Sequence, residues 1–176
     1  MLEDGSVYEG TARGDFKETA CEIVFNTSMT GYVEILTDPS YAGQGVVMTY
    51  PMIGNYGISR EDFESERLQP SAFIVHELSS DPSNFRCTDT IENLLKEYNI
   101  PCISGVDTRA VVKKLRESGT MRGVLTSDIG DRERLMDVIK SFRQIDLVGS
   151  VTAKQTKVYG EENTGAEIAL MDFGTK

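Results

Sequence analysis

The chain has 176 residues, 39% of them apolar and 26% charged, which supports a folded domain with a fragment of a second and excludes disordered, collagenous or coiled-coil chains. Eighteen basic against 28 acidic residues give a formal net charge of -10, which argues against nucleic acid or an anionic membrane surface as partner. There is no apolar run of membrane-spanning length, no basic-then-apolar start typical of a signal peptide, and no Cys-x-x-Cys pair among Cys21, Cys87 and Cys102. A cytoplasmic protein with reduced thiols is expected.

Before residue 80 the pattern is one of short strands and turns. Glu22-Ile23-Val24-Phe25, Tyr32-Val33-Glu34-Ile35-Leu36, Val46-Val47-Met48-Thr49-Tyr50 and Ala72-Phe73-Ile74-Val75 are β-branched and aromatic runs separated by turn formers. Thr37-Asp38-Pro39-Ser40 is the clearest turn, because Pro39 presets φ while Asp38 and Ser40 can bond nearby backbone; Gly54-Asn55-Tyr56-Gly57 is another. From residue 88 the period becomes helical. Ile91, Leu94, Leu95 and Tyr98 follow the cap candidates Thr88, Asp89 and Thr90, and this helix ends before Pro101. A strand at Cys102-Ile103-Ser104 precedes a second helix that starts at Asp107 or Thr108 and stops at Gly119. After a strand over residues 123–126, Asp131 caps a third helix carrying Leu135, Val138, Ile139 and Phe142. Residues 156–165 read as a linker, and Ile168-Ala169-Leu170-Met171 as a strand opening a further domain.

No self-sufficient catalytic set emerges. Cysteine catalysis needs a nearby base and a presenting turn, yet His76 is the single histidine and no cysteine sits in a Gly-x-Cys-x-Gly elbow. Cys102 reads as a buried thiol, and His76 as a strand-end histidine or, alternatively, a phosphohistidine carrier opposed by the charge of Glu77. Asp128, Asp131 and Glu133 could meet a cation, but at a helix start they serve equally as caps, so no metal site is assigned. Arg109, Lys113, Lys114 and Arg116 make a basic helix face, either solvated or set against an acidic partner.

Phe25-Asn26-Thr27-Ser28-Met29-Thr30-Gly31-Tyr32, continuing through Glu34-Ile35-Leu36-Thr37-Asp38-Pro39-Ser40-Tyr41-Ala42-Gly43-Gln44, resembles the small chain of glutamine-hydrolysing carbamoyl-phosphate synthase. Thr49-Tyr50-Pro51, Ile53-Gly54-Asn55-Tyr56-Gly57, Asp62-Phe63-Glu64-Ser65, Ser83-Asn84-Phe85-Arg86, Ile103-Ser104-Gly105-Val106-Asp107-Thr108-Arg109-Ala110 and Met121-Arg122-Gly123 extend the resemblance in the same order over residues 2–155.

The resemblance implies an α/β fold, a swivelling β/β/α three-layer sandwich over residues 1–155, followed by the linker. Residues 166–176, with Asp172-Phe173-Gly174, are then the truncated first strand of a class I glutamine amidotransferase domain. In that family the second domain releases ammonia from glutamine. The large chain combines it with bicarbonate and ATP, using a divalent metal, to make carbamoyl phosphate for arginine and pyrimidine synthesis. The N-terminal domain docks the large chain, and Ser40 matches a glutamine contact. The present chain then carries no catalytic residue, binds no cofactor of its own and is inactive alone. Its surface would meet the large chain or a second copy of itself, with the loops at 29–32 and 50–56 as anchors. The alternatives are a free-standing phosphohistidine carrier on His76 and an acidic interaction module.

Overall fold

The computed structural model describes residues 1–14, 16–143, 146–160 and 168–176. Its strands are β1 Thr11–Arg13, β2 Thr19–Asn26, β3 Gln44–Met48, β4 Met52–Ile53, β5 Ala72–Ile74, β6 Glu77–Leu78, β7 Cys102–Ser104 and β8 Met121–Leu125. Its helices are α1 Tyr32–Thr37, α2 Ile91–Glu97, α3 Thr108–Ser118, α4 Arg132–Ser141 and α5 Leu147–Val151. Six strands form one sheet in the order β1-β7-β5-β3-β2-β8, and β4 pairs with β6 in a second. Strands β7, β5, β3 and β2 run parallel, with β1 and β8 antiparallel at the two edges.

Strand alternation sorts the apolar residues onto two faces. Val24, Val46, Phe73 and Cys102 lie in one register row across the four parallel strands. That face packs against Tyr32 and Leu36 of α1, Ile91, Leu94 and Leu95 of α2, and Ile53 of the small sheet. Val124 on the same face takes Leu135 and Ile139 of α4. The opposite face, with Cys21, Ile23, Val47, Ala72 and Ile74, is covered by Val111, Val112 and Leu115 of α3. Each fully buried Val, Leu, Ile or Phe among them contributes roughly 1.5–3 kcal/mol over its exposed state. The architecture is mixed α/β, a partly open sheet between layers, consistent with a swivelling three-layer sandwich.

Side-chain caps begin α2, α3 and α4. The Thr90 hydroxyl accepts from Asn93 N at 3.2 Å, Asp107 from Ala110 N at 2.9 Å and Asp131 from Arg134 N at 2.9 Å. Asn99, at φ 56, turns the chain out of α2 ahead of Pro101, and Gly119, at φ 84, ends α3.

Three expectations change. Residues 32–36 are helical, because β2 and β3 are parallel neighbours whose connection must leave the sheet plane. Their apolar positions 32, 33, 35 and 36 fit a helical stripe as well as a strand. Residues 168–171 form no strand, for no neighbouring strand among the described residues supplies a ladder, and Ile168, Leu170 and Met171 stand exposed. The strand expected over 123–126 begins at Met121. Strands β1, β4 and β6 and helix α5 carry too few residues for a period to show. Of the expected linker, 156–160 are exposed without helix or strand, and 161–165 lie outside the described residues.

Glu18, just before β2, ties α4 to the sheet. It accepts from the Arg134 guanidinium at 2.7 and 2.8 Å and from the Thr126 hydroxyl at 2.8 Å. These bonds hold its carboxyl at about 2 instead of 4.5. A carboxyl depressed in the folded state adds stability above its unfolded pKa and loses it as pH falls toward the folded one. Glu18→Gln should therefore flatten acid destabilisation between about 4.5 and about 2. Urea midpoints measured across that window check this; an unaltered pH slope contradicts it.

Candidate functional site

Helix α1 ends in a buried run that surfaces at one residue. Thr37 and Asp38 are 0% and 8% exposed and Pro39 is buried, whereas Ser40 is exposed. Thr37 closes the helix by donating its hydroxyl to Val33 O at 2.9 Å, and the same oxygen accepts from Glu64 N at 2.9 Å. Ser65 donates its hydroxyl to Thr37 O at 2.5 Å, and Gln69 N donates to Leu36 O at 2.9 Å. Pro39 then starts a single 3-10 turn in which Asp38 Oδ1 accepts from Ser40 N at 2.8 Å. The backbone at Ser40 is thereby fixed, and the residue itself is exposed.

The other oxygen of Asp38 binds a residue 138 positions away. Lys176 Nζ donates to Asp38 Oδ2 at 2.7 Å. Burial raises the Asp38 carboxyl, but the bonds from Lys176 and Ser40 outweigh it and leave the group below its ordinary value. The tail is folded around Asp172, whose Oδ1 accepts from Gly174 N at 2.9 Å and Thr175 N at 2.7 Å, while Asp172 O accepts from Ala153 N. Gly174 has φ 106, and a Cβ there would stand 2.7 Å from Val151 Cγ2 and 3.3 Å from Pro39. Helix α5 supplies this contact: Asp146 caps it through Gly149 N at 2.8 Å. The turn motif and the Asp172-Phe173-Gly174 motif, far apart in sequence, meet at one place. Lys176 and Gly174 were missed as partners of the turn, since no local pattern couples residues at such separation.

The remaining candidates lie elsewhere. His76, between β5 and β6, donates from Nδ1 to Val106 O at 3.1 Å. Burial pushes the thiols of Cys21 and Cys102 up to about 12, and the Cys87 thiol donates to Asp89 O at 3.3 Å. Asp131 caps α4 and Asp128 Oδ1 accepts from Gly130 N at 2.8 Å; no group of three or more metal-ligand side chains occurs among the described residues. Lys114 leaves the basic face to pair with Asp4 at 2.9 Å.

The aromatic anchors proposed for the two loops are partly internal. Tyr32 is 1% exposed, stacks on Tyr56 with ring centroids 4.1 Å apart and donates its hydroxyl to Gly57 O at 2.8 Å. Tyr56 in turn accepts from Gly31 N at 2.7 Å, so the ring pair clamps the two loops together. Met29 and Met52 stay exposed at 70% and 39%.

Residues 1–125 match the family described as carbamoyl-phosphate synthase small chain, CPSase domain. Among curated proteins, the chain is 47% identical over 175 residues to the carbamoyl phosphate synthase small chain of Caldanaerobacter subterraneus subsp. tengcongensis, covering 99% of this chain and 47% of that one. It is 48% identical over 180 residues to that of Archaeoglobus fulgidus, covering 99% and 49%. With the small chain of Aquifex aeolicus the figures are 44% over 190 residues, 99% and 51%. The chain spans about half the length of the curated relatives it matches.

Gly174→Val should detach the tail without unfolding the sheet, since it strains a positive φ and drives a side chain into Val151. Hydrogen exchange checks this: the amides of Ala153, Gly174 and Thr175 should lose protection while those of β2 and β3 keep it. Protection retained in the tail contradicts the contact.

Proposed function

The chain belongs to the family of carbamoyl-phosphate synthase small chains, and we propose that it forms the N-terminal portion of such a chain. In this reading residues 1–155 dock the large synthase chain and lend Ser40 to a glutamine pocket. Residues 156–165 link that domain to a class I glutamine amidotransferase domain, which begins at 166–176. The second domain hydrolyses glutamine, and the large chain, holding ATP and its divalent metal, combines the ammonia with bicarbonate to make carbamoyl phosphate for arginine and pyrimidine synthesis.

The observation that carries this reading is the bond between Lys176 and Asp38 beside Ser40. A chain continuing from Lys176 would start close to the turn, which supports a pocket shared between the following domain and the Ser40 hydroxyl. That hydroxyl can accept from a substrate ammonium or donate to its carboxylate, and its backbone is already fixed. In this reading the chemistry of hydrolysis belongs to the second domain, which is supported by the burial that keeps the Cys21 and Cys102 thiols protonated at neutral pH. The carrier reading rests on His76 and would be favoured instead by acid-labile phosphate on that residue.

Ser40→Ala, placed in a small chain spanning both portions and assembled with the large chain, should raise the KM for glutamine about tenfold. This is the loss of one hydrogen bond to a charged group, about 1.5 kcal/mol. Synthesis driven by added ammonia should be unchanged. The present chain alone should release no ammonia from glutamine above buffer. An unaltered KM removes Ser40 from the pocket.

A further inference from the structure

Helix α3 carries Arg109, Lys113 and Arg116 at spacings of four and three, so their side chains leave one face of the helix. All three are exposed, and none makes an ion pair or side-chain hydrogen bond among the described residues. Lys114, pointing to another side, has Asp4. Three adjacent unpaired cations stand out on a chain whose net charge is -10, where carboxylates are plentiful.

With Val112 and one carboxylate, Glu117, they line a groove of about 650 Å³ that also includes Thr27 and Thr49, which follow β2 and β3 at the carboxyl ends of two parallel strands; three cations against one acid leave the groove net positive. Crevices outside the carboxyl ends of parallel strands are where open α/β sheets receive ligands. The loop that holds Thr27 also carries Met29, 70% exposed. Arginine and methionine together are enriched where proteins meet, and a groove of this volume holds several side chains at once, more than one small anion would fill.

We propose that the Arg109, Lys113 and Arg116 face of α3, with the neighbouring Thr27 to Met29 loop, is the surface on which this domain docks an acidic segment of the large synthase chain. The proposal rests on the docking role given above and names the surface that performs it. The unpaired cations steer the encounter and fix its register, and Met29 contributes apolar area at its border.

The test is binding of the 176-residue chain to the purified large chain, followed by calorimetry at low and raised salt. Arg109→Glu, Lys113→Glu and Arg116→Glu combined should weaken binding at least about tenfold at low salt and flatten its salt dependence. The corresponding three Gln substitutions should give an intermediate loss. Lys140→Glu on α4, at the other face of the sheet, should bind as the unaltered chain does. The urea midpoint serves as the folding control, and if the Glu variant fails it the Gln variant decides. Equal binding by the folded variants overturns this surface while leaving the docking role intact. Failure of the unaltered chain to bind overturns both.

Discussion

One buried carboxylate organises the region on which the functional reading depends. Asp38 lies almost wholly out of water, where an ionised carboxylate is costly unless both oxygens are bonded. One oxygen takes the backbone N–H of Ser40, and the other takes the ammonium of Lys176. The first bond sets a tight turn that directs Ser40 outward. The second joins that turn to the far end of the chain. Thr37 adds stiffness on the inner side, bonded to Val33 and to Glu64. Removing either donor to Asp38 leaves a buried acceptor without a partner, so turn and tail depend on each other.

The sheet then separates two tasks. Helix α1 carries the chain from the carboxyl end of β2 back to the start of β3, so the Ser40 turn sits at the amino edge of the parallel strands. Thr27 and Thr49 sit at the opposite edge, beside the cations of α3. Five residues of strand, about 17 Å, lie between the two edges. A partner can cover one edge without obstructing the other, as the proposed docking and pocket-lining roles require.

Much of this was legible in the sequence where a period or a cap is strong. Helices α2, α3 and α4 follow from their apolar spacing; Asp131 caps α4 as read, Thr90 is the one of three candidates that caps α2, and Asp107, read as a possible first residue of α3, is its cap. The Asp38-Pro39-Ser40 turn was legible because proline and the Asx bond act locally. The run 32–36 misled because Tyr, Val and Ile favour a strand by composition, while the parallel pairing of β2 with β3 demands a crossover. Tyr32 and Tyr56 looked like surface anchors because loop aromatics suit interfaces; their stacking and hydrogen bonds depend on tertiary proximity. Lys176 bonding Asp38, and the exclusion of a side chain at Gly174 by Val151, arise from long-range packing that no local pattern encodes.

The most direct measurement is the pH titration of the Asp38 side-chain carboxyl by carbon-13 NMR, in the unaltered chain and in Lys176→Ala. The two bonds require a midpoint below the ordinary aspartate value of about 3.9, with the Ser40 amide resonance moving in the same transition. Lys176→Ala should shift that midpoint upward. A midpoint at the ordinary value in the unaltered chain, insensitive to Lys176, would contradict the joining of turn and tail through Asp38.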